Sequence, residues 1–180
     1  MRSDSTPFSG TKGLTRAAIP WLAIAATCVL LMGVALFYQH VLDIRPCLVC
    51  VQVRLWVTAI FALSVAGFLL ARQIWAQTAL WLALAGASAA LVERAWHLLS
   101  IEYGWIIGSC GIPGNPGLPS WFALHEWFPF LFRPETLCGD AVELPLGLMT
   151  MSEGTMAFSV LFLAISVAGL VLTSIKSVKP

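Results

Sequence analysis

Charge is what this chain lacks. Only 11% of its 180 residues are Asp, Glu, Lys or Arg, less than half of the roughly 25% usual in a soluble domain. One ordinary water-solvated surface is thereby excluded, and a mean hydropathy of +0.86 places the chain in lipid. The net charge is +1, and no basic cluster is visible. That excludes the electrostatic footprint of a nucleic-acid binder. Any separate soluble unit would have to fit between membrane spans.

Long apolar runs supply what the charges do not. Four stand out, at Ala17–Tyr38, Val51–Ala71, Ile74–Leu99 and Thr155–Ile175. Each has about the 20 mostly apolar residues that a helical span requires. The expectation is an all-α, four-transmembrane-helix bundle with neighbouring spans antiparallel. A long outer-face loop, about 100–154, holds most of the Pro and Gly. Residues 1–16 and 176–180 are read as short tails. The first run continues past Cys28 to Phe37, beyond the core of a signal peptide, so it is read as a retained span.

Lys and Arg placement orients the bundle. Arg2, Lys12 and Arg16 precede the first span, Arg72 joins the second to the third, and Lys176 and Lys179 follow the fourth. The other face carries Arg45, Arg54 and Arg133, but also Asp43, Glu102, Glu126, Glu135, Asp140 and Glu143. Both termini are therefore expected to be cytoplasmic. Cys47, Cys50, Cys110 and Cys138 then share the outer, oxidising side, where disulfides persist.

The most informative motif is Cys47-Leu48-Val49-Cys50, placed where the second span begins. Cys-X-X-Cys holds two thiols close enough for a short-loop, redox-active disulfide. Pro46 disfavours helix at Arg45, so the span is expected to start near Cys50. Free N–H groups and the helix dipole there favour a thiolate. Arg54 follows at i, i+4, on the same helical face. A cation at the membrane edge is costly. It either snorkels to the interface or stabilises a Cys50 thiolate or a reduced acceptor's oxyanion; beside Cys50 the second reading is preferred.

Cys110 lies in Gly108–Gly117, dense in Pro and Gly, and is read as exposed to another protein's thiol. Ser120–Phe132 is too short to span and heavily aromatic, which suits a short helix in the membrane interface. Cys138 follows a Pro-containing turn. A structural Cys110–Cys138 disulfide competes with a redox role, whereas a zinc site is disfavoured by the wide separation of these two cysteines. His97 lies near the outer end of the third run and can protonate or hydrogen-bond an acceptor, or can simply be interfacial. Glu93 and Arg94 are adjacent in sequence and are not expected to face each other. Cys28 is read as a small buried hydrophobe.

Taken together, Pro46-Cys47-Leu48-Val49-Cys50 with Arg54 resembles the DsbB family, including its DsbI-type paralogues. Four spans, two outer-face cysteine pairs, His97 ahead of Cys110, and Leu131-Phe132-Arg133 leading to Cys138-Gly139-Asp140 extend the likeness over about residues 17–175. The resemblance implies an inner-membrane enzyme that reoxidises a periplasmic DsbA-type dithiol oxidase and reduces a membrane quinone, ubiquinone or menaquinone. Carried over by position, the partner attacks the Cys110–Cys138 disulfide. Cys138 then attacks Cys47, and Cys50 is released as a thiolate against the quinone. Arg54 supports that step and His97 lies near the quinone. No metal is implied.

Three features depart from the family's best-known pattern. Val53 stands where a polar or acidic residue is expected, the stretch after Cys110 is richer in Pro and Gly, and Cys28 is extra. Two other classes compete. One is the vitamin K epoxide reductase-like family, whose Cys-X-X-Cys lies near the end of a late span rather than at the start of the second. The other is a non-enzymatic membrane protein with structural disulfides.

Overall fold

Where each helix stops is written in local chemistry, and the stops set the topology. The computed structural model describes residues 9–44, 46–106, 128–132 and 150–178. Helix α1 runs Ser9–His40, α2 Leu48–Leu69, α3 Ile74–Glu102, α4 Pro129–Phe132 and α5 Met151–Val178. The described residues contain helices and turns and no strand. Four of the helices are long and apolar enough to cross a membrane. The protein is an all-α, multi-pass membrane bundle.

After α1 the chain reverses through Asp43, whose φ of 52° lies in the left-handed region that Asp tolerates better than most residues. Between α2 and α3 the turn is tight: Leu70 N–H donates to Ala66 O, and Gln73 N–H to Leu70 O. Helix α3 ends in a Schellman motif. Gly104 takes φ 70°, and the N–H groups of Trp105 and Gly104 close on the carbonyls of Ser100 and Ile101. Helix α5 starts with a capping box: Glu153 N–H donates to Thr150 Oγ1, and Thr150 N–H to Glu153 Oε2. Short reversals make α1, α2 and α3 antiparallel neighbours, and α5 packs along α3.

Water cannot drive helix association in lipid, so close packing and hydrogen bonds must do so. At the end of the bundle nearer the termini, the Trp21 and Trp81 rings meet with centroids 4.2 Å apart. Each indole lies on a glycine of a neighbouring helix, Trp21 on Gly67 and Trp81 on Gly169, where a Cβ would overlap the ring. Trp21 Nε1–H donates to Gln77 Oε1 at 2.8 Å, and Gln77 Nε2–H donates to Gly67 O at 2.8 Å. One buried amide thus ties α1, α2 and α3 together. Ile24, Cys28, Ile60, Leu84, Leu91 and Phe162 continue this core, and the buried Ser64, Ser159 and Ser166 hydroxyls bond back to their own helices.

Gly67→Ala is expected to lower stability in detergent micelles by about 1–3 kcal/mol, because the new methyl displaces the Trp21 ring. Thermal or denaturant unfolding measures this; an unchanged midpoint would show that the indole–glycine contact is slack.

Candidate active site

The cysteine motif is placed by the start of α2. Pro46 leads into Cys47, which caps the helix in extended conformation (φ −78°, ψ 168°). Cys50 N–H, in the first turn, donates to Cys47 Sγ at 3.2 Å. Cys47 and Cys50 form a disulfide with Cα atoms 5.1 Å apart. The helix thus begins at Leu48, slightly earlier than the sequence suggested, because the sulfur itself serves as the cap. Both sulfurs lie where unpaired N–H groups and the helix dipole stabilise a thiolate once the bond is reduced. Cys47 is buried with Val49, and Cys50 together with Leu98 and Ile101 of α3 packs against these two.

One turn beyond Cys50, Arg54 is 7% exposed, and so is not a snorkelling surface cation. Its Nη1 donates to Gln39 Oε1 and, at 3.1 Å, to Leu131 O. Its Nη2 donates to Ala35 O at 3.3 Å. Among the described residues no carboxylate pairs with it. Its described partners are neutral oxygens, which hold the guanidinium without cancelling its charge for whatever anion forms beside it.

Cys50 and Arg54 line the same cavity, of about 500 Å³. Asp43, Glu102 and Ser152 stand toward its outer end, while Met32, Val57, Leu91 and Phe158 carry it toward the middle of the bundle. The volume and the mostly apolar lining with a few polar groups are those of a small-molecule site. The residues therefore fit a quinone. The apolar part can hold a ring and an isoprenoid chain, Arg54 can meet a ring oxygen, and Cys50 offers sulfur. Beside the cavity, Tyr103 donates to Glu153 Oε1, and this bond, with the carboxylate's charge, holds the phenol above its ordinary range.

His97 is half-buried on α3, and its buried Nδ1 has no hydrogen-bond partner among the described residues. The neighbouring Leu98 lines the cavity, but His97 itself does not. Cys110, Cys138 and Arg133 lie outside the described residues. So does most of the expected interfacial helix, of which the described part is the single turn α4. Cys28 is buried in the bundle core and unpaired. The adjacent Glu93 and Arg94, which were not expected to meet, form an ion pair at 2.9 Å, and Arg94 Nη1 also donates to Gln52 Oε1. Side chains long enough to bend along the helix surface overcome the roughly 100° between successive positions. Sequence reasoning missed Gln39 and the α4 carbonyls. A lone amide at the end of an apolar run, with a cation lacking a nearby acid, was the available signal.

A membrane bundle with a disulfide at a helix N-terminus, open to an apolar cavity beside a guanidinium held by carbonyl and amide oxygens, belongs to the class of membrane thiol oxidoreductases. Comparison with known proteins makes the assignment specific. The profile of the DsbB family, "Disulfide bond formation protein DsbB", matches residues 17–169. Disulfide bond formation protein B 2 of Pseudomonas aeruginosa is 32% identical over 152 residues, covering 83% of this chain and 88% of the relative. Disulfide bond formation protein B of Shewanella loihica is 31% identical over 159 residues, covering 86% and 91%. That of Idiomarina loihiensis is 33% identical over 148 residues, covering 79% of each. The chain belongs to the DsbB family.

Cys28 is expected to resist maleimide labelling in the folded, micelle-bound protein after mild reduction, whereas Cys50 labels. Mass spectrometry of digests checks this, and modification of Cys28 at the rate of Cys50 would contradict its burial.

Proposed function

We propose that the protein is a dithiol:quinone oxidoreductase of the bacterial inner membrane, with cytoplasmic termini and periplasmic cysteines. In this reading it reoxidises a DsbA-type thioredoxin-fold partner. The observation that carries it is the opening of the Cys47–Cys50 disulfide and Arg54 onto one apolar cavity. When bound, a quinone supplies a sink for two electrons and two protons.

The cysteines then work by successive exchange. A partner thiolate attacks Cys110, the Cys110–Cys138 bond breaks, and Cys138 leaves as a thiolate. Cys138 attacks Cys47, breaking Cys47–Cys50 and freeing the Cys50 thiolate at the helix N-terminus. The partner's second thiol resolves its mixed disulfide and leaves oxidised. Cys110 then attacks Cys138, restoring their bond and releasing Cys47. Finally Cys47 and Cys50 close again as two electrons and two protons pass to the acceptor. Each exchange conserves one disulfide, and the net change is one dithiol oxidised.

Arg54 acts on the last step. Its charge favours the Cys50 thiolate and any oxyanion in the cavity, and its fixed hydrogen bonds avoid reorganisation as that charge develops. His97 is assigned a place near the quinone by family position alone. The direction of flow follows from potentials: DsbA-type oxidases lie at about −120 mV, against about −270 mV for thioredoxin, so a glutathione-like pool cannot reoxidise them.

Purified protein given a reduced DsbA-type donor and a soluble quinone should turn over. Cys50→Ser should abolish this, and Arg54→Ala should lower kcat/KM by roughly tenfold or more, the value of one charged hydrogen bond. Full turnover by Cys50→Ser, or none by the parent protein with either quinone class, would reject the reading.

A further inference from the structure

Arg54 is held from two sides, and Gln39 is on both. The Gln39 amide accepts from Arg54 Nη1 through Oε1 and donates from Nε2 to Phe130 O at 3.2 Å. Next to it, the His40 ring stacks on Phe130 with centroids 4.0 Å apart and planes 10° from parallel. Leu131 O takes the other Nη1 hydrogen. The end of α1, the start of α2 and the α4 turn are thus joined through one amide, one guanidinium and one ring stack.

We infer that Gln39 is a positioning residue for the oxidoreductase proposed above, on whose reading this inference rests. Toward the cavity, it fixes the guanidinium. The three bonds to Gln39, Leu131 and Ala35 use three of its N–H groups. An arginine has about five, so among the described residues the Nε–H and one Nη2–H are left for an acceptor oxygen. Toward the loop, Gln39 and His40 anchor α4, and Cys138 follows Phe132 by six residues. A fully extended chain gains at most about 3.6 Å per residue, so Cys138 stays within roughly 20 Å of that anchor. Arg54 is seven positions beyond Cys47 on α2, a rise of about 10 Å. The anchor therefore keeps the attacking Cys138 within range of Cys47. Without it, the next described residue along the chain is Thr150, twelve residues away, and doubling a tether costs about 0.6 kcal/mol, or nearly threefold in encounter.

The test has two arms. In the first, without quinone or partner, the Cys50→Ser/Cys110→Ser protein is oxidised with diamide. Formation of the Cys47–Cys138 disulfide is followed by mass spectrometry. Gln39→Leu, Gln39→Glu and His40→Ala should each slow it by about threefold. Gln39→Glu keeps the side chain's size and its acceptor for Arg54, so its effect reports the lost donation to Phe130 rather than misfolding. In the second, with all four cysteines present, Gln39→Leu should raise the KM for quinone roughly tenfold, as expected for one charged hydrogen bond, while His40→Ala leaves it unchanged. A purely structural role would not separate the two readouts. Parent-like disulfide formation in all three variants, or a parent-like KM in Gln39→Leu, would overturn the inference. If the parent protein reduces no quinone, the functional reading fails, and the quinone-free arm still decides the anchor.

Discussion

A guanidinium buried at the edge of an apolar bundle must find hydrogen-bond acceptors, and the rest of the site depends on how Arg54 finds them. An isolated charge is expensive in such a place. A carboxylate partner would relieve the cost but cancel the field that a thiolate or oxyanion needs. Carbonyl and amide oxygens relieve part of it without doing so. Helix α1 contributes Ala35 O and Gln39, and the turn before the second cysteine region contributes Leu131 O. Satisfying one cation therefore draws three segments of the chain to the place where Cys50 opens on the cavity.

The fold was legible because its signals are long and redundant. Four runs of about 20 apolar residues leave little choice but helices in lipid. The helix ends differed by several residues, since caps such as the Cys47 sulfur and the Thr150–Glu153 box extend helices beyond the apolar run. Trp21, Gln77 and Gly67 were not legible as a unit: they come from three helices, and nothing in their spacing links them. The same holds at the site. Cys50 and Arg54 are four residues apart and could be read as one face. Gln39 and Leu131 reach Arg54 across 15 and 77 residues, a relation that no local pattern contains.

The two ends of the bundle solve opposite problems. Near the termini, indoles seated on Gly67 and Gly169 fill the interior, and a buried amide joins three helices. At the cysteine end the interior is lined in part by Ala35, Ser152, Gly154 and Thr155, whose side chains are too small to fill it. Unfilled volume weakens a core, so the tight packing at one end offsets the opening at the other. This is the trade expected where a binding site occupies the core itself. Larger residues at Ala35 or Gly154 would fill volume and strengthen packing, but they would occupy the space an acceptor must enter to reach Cys50. The stability of this end is therefore limited by the site it contains, and the indole–glycine contacts are what make that limit tolerable.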